Sequence, residues 1–308
     1  MKKNSYIFLI FLFVNTIAIC QNSRLWATYY GNVENDLGNT VATDVLGNVY
    51  MAGNTFSPSG IASGGFQNTY GGQGDNFLVK FDAAGNRLWA TYYGGALDEE
   101  EAQVTTDVFG NVYLAGYTRS TSGIASAGAF QTTVGGGGNY DAFLVKFNAA
   151  GTRLWATYYG GNGNDKALSI SVDTAGNIYM AGITDGANGI ASGGFQNTLG
   201  GLTDAFLVKF DAAGNRQWAT YYGGTLNDYG RFVTTDIVGN VYLAGDTPDN
   251  SGIATTGAFQ TAYGGATYDA FLVKFDATGN RQWATHYGGA ADDYAKSVAI
   301  DVFGNIYI

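Results

Sequence analysis

The chain is poor in the residues from which many catalytic and metal sites are built. Its 308 residues include one cysteine, Cys20, one histidine, His286, and two prolines. One cysteine cannot form an internal disulfide, and one histidine without further soft ligands excludes a conventional zinc site. Ser-His-Asp and Cys-His nucleophiles are disfavoured as well, because His286 would have to be their base. No long apolar run with a helical period is present, so the sequence predicts an all-β protein.

Positive charge is also scarce. Lysine and arginine number 15 against 25 aspartates and glutamates, for a formal net charge of −10. Such a balance argues against nucleic acid or an anionic membrane surface as a partner. The glycine run at 135–138 has no helix pattern after it, and no G-x-x-x-x-G-K-[ST] motif occurs, so a phosphate-binding loop is not predicted.

The segment 1–20 has the pattern of a secretory signal peptide. Lys2 and Lys3 precede an apolar run, and Ala18 and Cys20 place small residues at positions −3 and −1. The run is shorter than the roughly 20 residues of a membrane span, so no transmembrane helix is expected. We therefore expect cleavage after Cys20 and a secreted or cell-surface protein. A lipoprotein acylated at Cys20 is the alternative, which the bulky Ile19 disfavours.

What the chain has in abundance is repetition. Its five tryptophans recur at long and nearly equal intervals, each within the phrase W-A-T-Y-Y-G or a close variant: Trp26, Trp89, Trp155, Trp218 and Trp283. Such a period indicates an array of supersecondary units. A residue that recurs in every unit serves the fold first, so a functional residue is expected to break the pattern.

Two D-x-x-G-N turns fix the register of each unit. The first follows each tryptophan at the same spacing in all five copies, and its aspartate and glycine are structural: Asp44, Asp107, Asp173, Asp236 and Asp301, with Gly47, Gly110, Gly176, Gly239 and Gly304. The aspartate accepts hydrogen bonds from the backbone ahead of it, and the glycine supplies a positive φ. The flanking runs, rich in valine, tyrosine, phenylalanine and threonine, predict strands.

Each unit therefore contains four antiparallel strands, a to d. Strand a precedes the first turn, b is N-V-Y-x-A-G, c is F-L-V-K-F and d is R-x-W-A-T-Y-Y. Tandem four-stranded units predict a β-propeller with one unit per blade.

The unit boundaries predict a ring that continues beyond this sequence. After the signal peptide, the repeat domain spans 21–308, with a lone d strand at 24–31, blades at about 40–94, 102–160, 168–223 and 231–288, and a partial blade at 296–308. This order is that of a truncated ring. We expect the missing blades, and a region for surface attachment, to lie downstream.

The phrases D-A-F-L-V-K-F-D-A-x-G-N-R, W-A-T-Y-Y-G-G and D-x-x-G-N-V-Y-x-A-G-x-T resemble the bacterial SBBP β-propeller repeat over roughly residues 24 to 308. The resemblance implies a secreted or surface-attached protein, similar to S-layer or adhesin-like chains. It brings no catalytic residues. A segment of the form S-G-I-A-S-x-G-A-F-Q between strands b and c is a distinctive departure.

Two aspartate series are candidate ligands for calcium or another binding partner. One follows W-A-T-Y-Y-G-G and the other precedes strand c: Asp36, Asp165, Asp228 and Asp293, and Asp75, Asp141, Asp204 and Asp269. Strands alternate in direction, so both series belong to the face that carries the long loops. The plainer alternatives are loop capping, or pairing with the lysines of F-L-V-K-F, namely Lys80, Lys146, Lys209 and Lys274. We expect no cofactor other than calcium.

Four tyrosines in the b–c loops are candidates for stacking on a sugar: Tyr70, Tyr140, Tyr263 and Tyr268. His286 replaces a repeated tyrosine, which indicates a packing position. The acidic run 98–101 interrupts the repeat and is interpreted as a solvated loop.

Three functions remain open at this point. The first is a non-enzymatic scaffold that binds an extracellular glycan, protein or surface through the long-loop face. The second is a polysaccharide lyase or glycosidase that uses carboxylates and tyrosines in the central channel. The third is a structural surface-layer or motility-associated component.

Overall fold

The computed structural model describes residues 25–136 and 138–308, so the predicted signal peptide lies outside the described residues. The described chain contains eighteen strands. Blade 1 is β1 (Asp36–Thr43), β2 (Val49–Thr55), β3 (Asp75–Phe81) and β4 (Arg87–Tyr93). Blade 2 is β5 (Glu99–Thr106), β6 (Val112–Thr118), β7 (Asp141–Phe147) and β8 (Arg153–Tyr159). Blade 3 is β9 (Asp165–Val172), β10 (Ile178–Thr184), β11 (Asp204–Phe210) and β12 (Arg216–Tyr222). Blade 4 is β13 (Tyr229–Thr235), β14 (Val241–Thr247), β15 (Asp269–Phe275) and β16 (Arg281–Tyr287), and a hairpin of β17 (Ala299–Ile300) and β18 (Ile306–Tyr307) follows.

Each blade is an antiparallel sheet whose four strands neighbour one another in chain order. Contacts between sheets join each blade to the next, and the described sheets do not close into a ring. The prediction of an all-β array of four complete blades and a partial one is confirmed.

The core lies between the blades. Strands β3 and β7 are buried at every position. Blades cover both faces of β7, whereas β3 packs on blade 2 at one face and on Trp26 and Tyr30 at the other. Three of the repeated tryptophans join neighbouring blades, since the indole Nε1 donates across the junction: Trp89 to Ala149 O, Trp155 to Ala212 O and Trp218 to Ala277 O, all at 3.1 Å. The contact between blades explains why the tryptophan recurs.

The first D-x-x-G-N turn is held by its aspartate. The Oδ1 of Asp107 accepts from the backbone N–H of Phe109 and Asn111 at 2.9 and 2.8 Å, and its Oδ2 accepts from the hydroxyl of Tyr113 at 3.0 Å. Gly110 has a φ of 81°, which only glycine adopts without strain. These contacts close the turn on the face opposite the long loops, called here the short-turn face.

The S-G-I-A-S-x-G-A-F-Q segment is not a free loop. In blade 1, Ser63 and Ala90 exchange two backbone hydrogen bonds, of 2.8 and 2.9 Å, and Tyr92 N–H donates to Gln67 O at 2.9 Å. The segment therefore pairs with the outer edge of strand d. An exposed edge strand invites pairing with another chain, and this segment covers that edge.

The predicted d strand at 24–31 is wrong for its described part, since residues 25–31 form no strand. They nevertheless occupy the packing position of one. Trp26 Nε1 donates to Ala83 O at 3.1 Å and Tyr30 donates to Ile61 O at 2.6 Å, as Trp89 and Tyr93 do towards blade 2. A strand needs a ladder partner, and no described segment pairs with these residues.

Candidate functional site

The two acidic series meet where one blade joins the next. Strand a begins two to four residues earlier than predicted, so a carboxylate stands at or beside its start. Strand c likewise begins with its aspartate, which was predicted to lie in the preceding loop. Junctions 1 to 4, numbered by the blade that supplies strand c, contain the pairs Asp75–Glu99, Asp141–Asp165, Asp204–Asp228 and Asp269–Asp293.

The first glycine of Y-Y-G-G lies between the two carboxylates. A Cβ on Gly160 would lie 2.6 Å from Asp141 Cγ and 2.8 Å from Asp165 Oδ2, and Gly223 is enclosed in the same way at junction 3. A side chain would displace the acids, so close packing of the junction requires glycine here.

One oxygen of each acid caps a loop. Asp141 Oδ2 accepts from Gly135 N–H at 2.6 Å and from Gln131 Nε2 at 3.2 Å, and Asp165 Oδ2 accepts from Gly161 N–H at 2.7 Å. Asp36 caps in the same way, accepting from Asn32 N–H at 2.6 Å. The carboxylates thus hold the long loops to the strand ends.

The lysines of F-L-V-K-F are not the partners of these acids, and that alternative is wrong. Lys80 Nζ donates to Ala149 O at 3.1 Å, and its nearest carboxylate is the turn residue Asp44 at 3.8 Å. Lys146 and Lys209 make the same contact with the following blade. The lysine lies towards the short-turn end of strand c, whereas the junction acid is at its opposite end.

Burial raises the pKa of six junction acids: Asp75, Glu99, Asp141, Asp165, Asp204 and Asp228. Asp75, Asp141, Asp165 and Asp228 have no exposed surface, and Glu99 is 1% exposed. Desolvation raises the pKa of Asp75 and Asp165 to about 6 and that of Glu99, Asp141 and Asp228 to about 7. The neighbouring carboxylate adds to the rise at Glu99 and Asp141.

The interpretation of residues 98–101 as a solvated loop is wrong. Glu99 and Glu100 belong to β5, and Glu99 takes the repeated junction position. Its Oε1 accepts from Thr118 Oγ1 at 2.5 Å and its Oε2 from Gly95 N–H at 2.9 Å. The longer glutamate fills the same role as the aspartates, which concealed the repeat.

A cluster that differs from blade to blade lies on the long-loop face beside junction 2. Tyr117 and Tyr140 meet edge to face with centroids 5.0 Å apart, and both donate to Glu100, at 3.0 and 2.8 Å. Lys166 Nζ lies 4.8 and 4.7 Å from the two ring centroids. Burial, with Glu100 nearby, raises the pKa of both tyrosines, so their hydroxyls remain donors at neutral pH.

A second aromatic group continues along the same face. Tyr268 lies 5.8 Å from both Tyr229 and Tyr294, measured between ring centroids. Arg231 lies over Tyr229 and bonds to the buried Asp246 through Nε at 2.7 Å. The structure thus brings two predicted residues, Tyr140 and Tyr268, into aromatic groups with charged neighbours.

A cleft of about 310 Å³ separates the two groups. We call it the tyrosine groove, and it is lined by Tyr140, Asn164, Lys166, Ile183, Asp185, Thr203 and Tyr229. Its walls combine ring faces with amide, hydroxyl, carboxylate and ammonium groups. Apolar surface with a few convergent polar groups is the usual composition of a small-molecule site.

The other loop tyrosines lie outside the groove. Tyr70 packs edge to face on Tyr92 at 5.8 Å. Tyr263 donates to Ala266 O at 2.8 Å within its own loop and contacts the ring of His286.

Sequence reasoning missed Tyr117, Lys166 and Tyr229, although a signal was present. The residue directly after the junction acid is of four types in five copies, while the spacing around it is constant: Leu37, Glu100, Lys166, Tyr229 and Tyr294. Variation inside a fixed strand register marks positions that the fold does not constrain.

His286 stands at a buried tyrosine position and leaves both ring nitrogens without a partner. Tyr92, Tyr158 and Tyr221 donate to a b–c loop carbonyl at 2.8–2.9 Å. The imidazole is shorter than a phenol, and desolvation lowers its pKa.

We expect His286→Tyr to stabilise blade 4. The phenol would restore the repeated hydrogen bond and remove two unpaired buried nitrogens, for a gain of about 1–2 kcal/mol. Urea unfolding followed by circular dichroism measures this, and His286→Phe, which adds the ring without the hydroxyl, is the control. A loss of stability in His286→Tyr would show that the histidine is required there.

The sequence family follows from the repeat. The SBBP β-propeller repeat matches three times, at residues 25–58, 154–190 and 217–251. The chain contains SBBP β-propeller repeats. Each match begins in the R-x-W-A-T-Y-Y region and runs through the next a and b strands, so it includes the acid at the start of strand a: Asp36, Asp165 or Asp228. The family assignment made from the sequence is confirmed.

Known relatives are distant and longer. An uncharacterized WD repeat-containing protein of Acanthamoeba polyphaga mimivirus is 28% identical over 289 residues, 76% of this chain and 20% of that protein. Regulatory protein FlaEY of Caulobacter vibrioides is 26% identical over 247 residues, 73% of this chain and 24% of that protein. The chain spans about a fifth to a quarter of these relatives' length.

Among solved structures, the GH43 endo-arabinanase from Bacillus licheniformis is similar at 12% identity and a TM-score of 0.36, covering 85% of this chain and 83% of that one.

Within residues 25–136 and 138–308, no three His, Cys, Asp or Glu side chains form a group that could hold a metal ion. No helix in that part of the chain is long and apolar enough to cross a membrane.

Proposed function

We propose that this SBBP propeller is a secreted or cell-surface, non-enzymatic binding scaffold whose tyrosine groove binds a glycan. The observation that carries the proposal is that the groove residues vary from blade to blade. The fold needs the tryptophans, turn aspartates and junction acids in every blade. By contrast, the position of Tyr140 holds Gly74 in blade 1 and Thr203 in blade 3, and the position shared by Lys166 and Tyr229 holds Leu37 in blade 1 and Glu100 in blade 2.

The chemistry of the groove suits a sugar. The ring of Tyr140 and the ring of Tyr229 offer apolar faces for the C–H surface of a pyranose. Asn164, Asp185 and Lys166 supply acceptors and donors for its hydroxyls. The N-terminal signal pattern supports export to a compartment where glycans are accessible.

A glycan array followed by titration tests the proposal. We expect the wild-type chain to bind a subset of extracellular polysaccharides, and Tyr229→Ala to weaken binding about tenfold, as loss of roughly 1.4 kcal/mol of stacking implies. Tyr263→Ala is the matched control, because it removes a half-buried loop tyrosine outside the groove. Equal binding by wild type and Tyr229→Ala would place the ligand elsewhere.

The same preparation separates binding from catalysis. Wild type and Glu100→Gln are incubated with each bound polysaccharide, and chain cleavage is followed by product size. We expect no turnover from either protein. Cleavage by wild type that Glu100→Gln abolishes would replace the proposal with a carbohydrate-active enzyme, since Glu100 is the groove-side acid held by two tyrosines.

A further inference from the structure

Junction 2 holds two carboxylates in one buried space. Asp141 and Asp165 have no exposed surface. The point that a Cβ on Gly160 would occupy is 2.8 Å from Asp141 Oδ2 and 2.8 Å from Asp165 Oδ2, so these oxygens are no farther apart than the sum of the two distances. Two like charges at such a distance away from water repel strongly.

Each of these acids has one oxygen without a partner. The Oδ2 atoms bind backbone N–H groups, at 2.6 Å for Asp141 and 2.7 Å for Asp165. The Oδ1 atoms of both residues are buried and receive no hydrogen bond from the described chain. A buried carboxylate with an unpaired oxygen is costly, so the junction requires a neutralising group.

Backbone carbonyl oxygens also lie near this junction. A Cβ built on Gly135, whose N–H binds Asp141, would lie 2.1 Å from Gly161 O and 3.0 Å from Gly160 O. The surroundings therefore offer carboxylate and carbonyl oxygens together. Hard oxygen donors without nitrogen or sulfur favour calcium-like cations over zinc or copper.

We propose that junction 2 binds one calcium-class divalent cation between Asp141 and Asp165. The two unpartnered Oδ1 atoms and neighbouring carbonyls are the protein ligands, and water completes the shell. The cation would join strand c of blade 2 to strand a of blade 3. This proposal does not depend on glycan binding.

Junction 1 differs in a way that makes it an internal comparison. Both oxygens of Glu99 already accept hydrogen bonds, from Thr118 and Gly95. Only Asp75 retains an unpartnered oxygen there. Junction 2 thus offers two free carboxylate oxygens, and the proposal is confined to it.

Terbium luminescence tests the site directly, because Tb³⁺ substitutes for Ca²⁺ and nearby tyrosines sensitise its emission. At pH 8 we expect saturable emission at one ion per chain that Ca²⁺ competes away. Asp141→Asn and Asp165→Asn should each weaken Tb³⁺ binding at least tenfold. Asp211→Asn is the matched control, because Asn148 already occupies the corresponding turn position in blade 2.

Thermal unfolding with Ca²⁺ or EDTA supplies the second measurement. We expect millimolar Ca²⁺ to raise the Tm of wild type and Asp211→Asn but not of Asp141→Asn. Should Asp141→Asn fail to fold, wild type at pH 5 still tests the site, since protons should displace Tb³⁺. Undiminished emission at pH 5, equal Tb³⁺ binding by the variants, or no response to Tb³⁺ and millimolar Ca²⁺ at pH 8 would overturn the proposal. With no response, protons would be the neutralising group.

Discussion

Trp89→Ala is expected to remove about 3–5 kcal/mol from the stability of blades 1 and 2, the usual cost of truncating a buried tryptophan. The indole is 5% exposed, packs on Tyr50, and donates to Ala149 O across the junction. A Cβ built on Gly151 would lie 2.9 Å from the indole ring of Trp89, so Gly151 packs directly against that ring. Truncation therefore opens a cavity at a contact between two blades and removes one of the two hydrogen bonds that Ala149 O accepts, the other being from Lys80 Nζ.

The unfolding profile should change as well as the midpoint. In a repeat array, stability is close to a sum of unit and interface terms. Weakening the first junction should therefore separate an early transition of blade 1 from that of the remaining blades in differential scanning calorimetry. Trp89→Phe, which keeps most of the ring area, is the control. A single transition shifted by less than about 2 °C would show that the junction contributes little.

The second large effect is a loss of stability with rising pH when EDTA removes divalent cations. The folded-state pKa of Asp75 and Asp165 is about 6, and that of Glu99, Asp141 and Asp228 about 7, whereas unfolded carboxyls titrate near 4. The folded chain therefore binds more protons than the unfolded chain between about pH 4 and 7. The free energy of unfolding is therefore highest near pH 4 and falls as the pH rises through 6 and 7.

The turn aspartates act in the opposite direction. Hydrogen bonds from Asn48 and Tyr50 lower the pKa of Asp44, against the effect of its burial, and Asp236 behaves alike. Their contribution is lost only as pH falls below about 4. The two sets together place maximum stability near pH 4–5, which is more acidic than usual for a folded protein.

Urea unfolding at pH 5 and pH 8 in EDTA measures the effect. A difference of one pKa unit between folded and unfolded states corresponds to about 1.4 kcal/mol, so five shifted acids amount to several kcal/mol even after generous allowance for relaxation. Asp141→Asn should flatten the profile, because an amide carries no charge at either pH. Stability that is greater at pH 8 than at pH 5 would contradict the raised pKa values.

The repeat made most of the architecture predictable. The constant spacing between Trp89 and Asp107 could be read as strand register, because a slip of one residue turns each side chain to the other face. The same argument failed for residues 25–31, where the tryptophan phrase is present but no described strand pairs with it. Sequence pattern reports which face is buried, whereas a ladder needs a partner in space.

The candidate site was less predictable for a related reason. Asp141 and Asp165 belong to different repeat units and were assigned to one face, but their approach to a common point depends on how blade 2 meets blade 3. Glu99 was wrongly assigned to a solvated loop because its neighbours in the sequence are acidic. Its burial depends on the packing of blade 1 against blade 2. Tyr117, Lys166 and Tyr229 come from three blades.

By itself, the sequence determined the strands, the turns and the order of the blades, because these depend on local hydrogen bonding and on spacing along the chain. Only the tertiary structure decided what the scarce and unrepeated residues do. It buried the acids in pairs, placed the lysines at the opposite end of strand c, and grouped tyrosines from separate blades around one groove. Those outcomes depend on packing between blades, where desolvation and neighbouring charges act across distances that chain spacing does not encode.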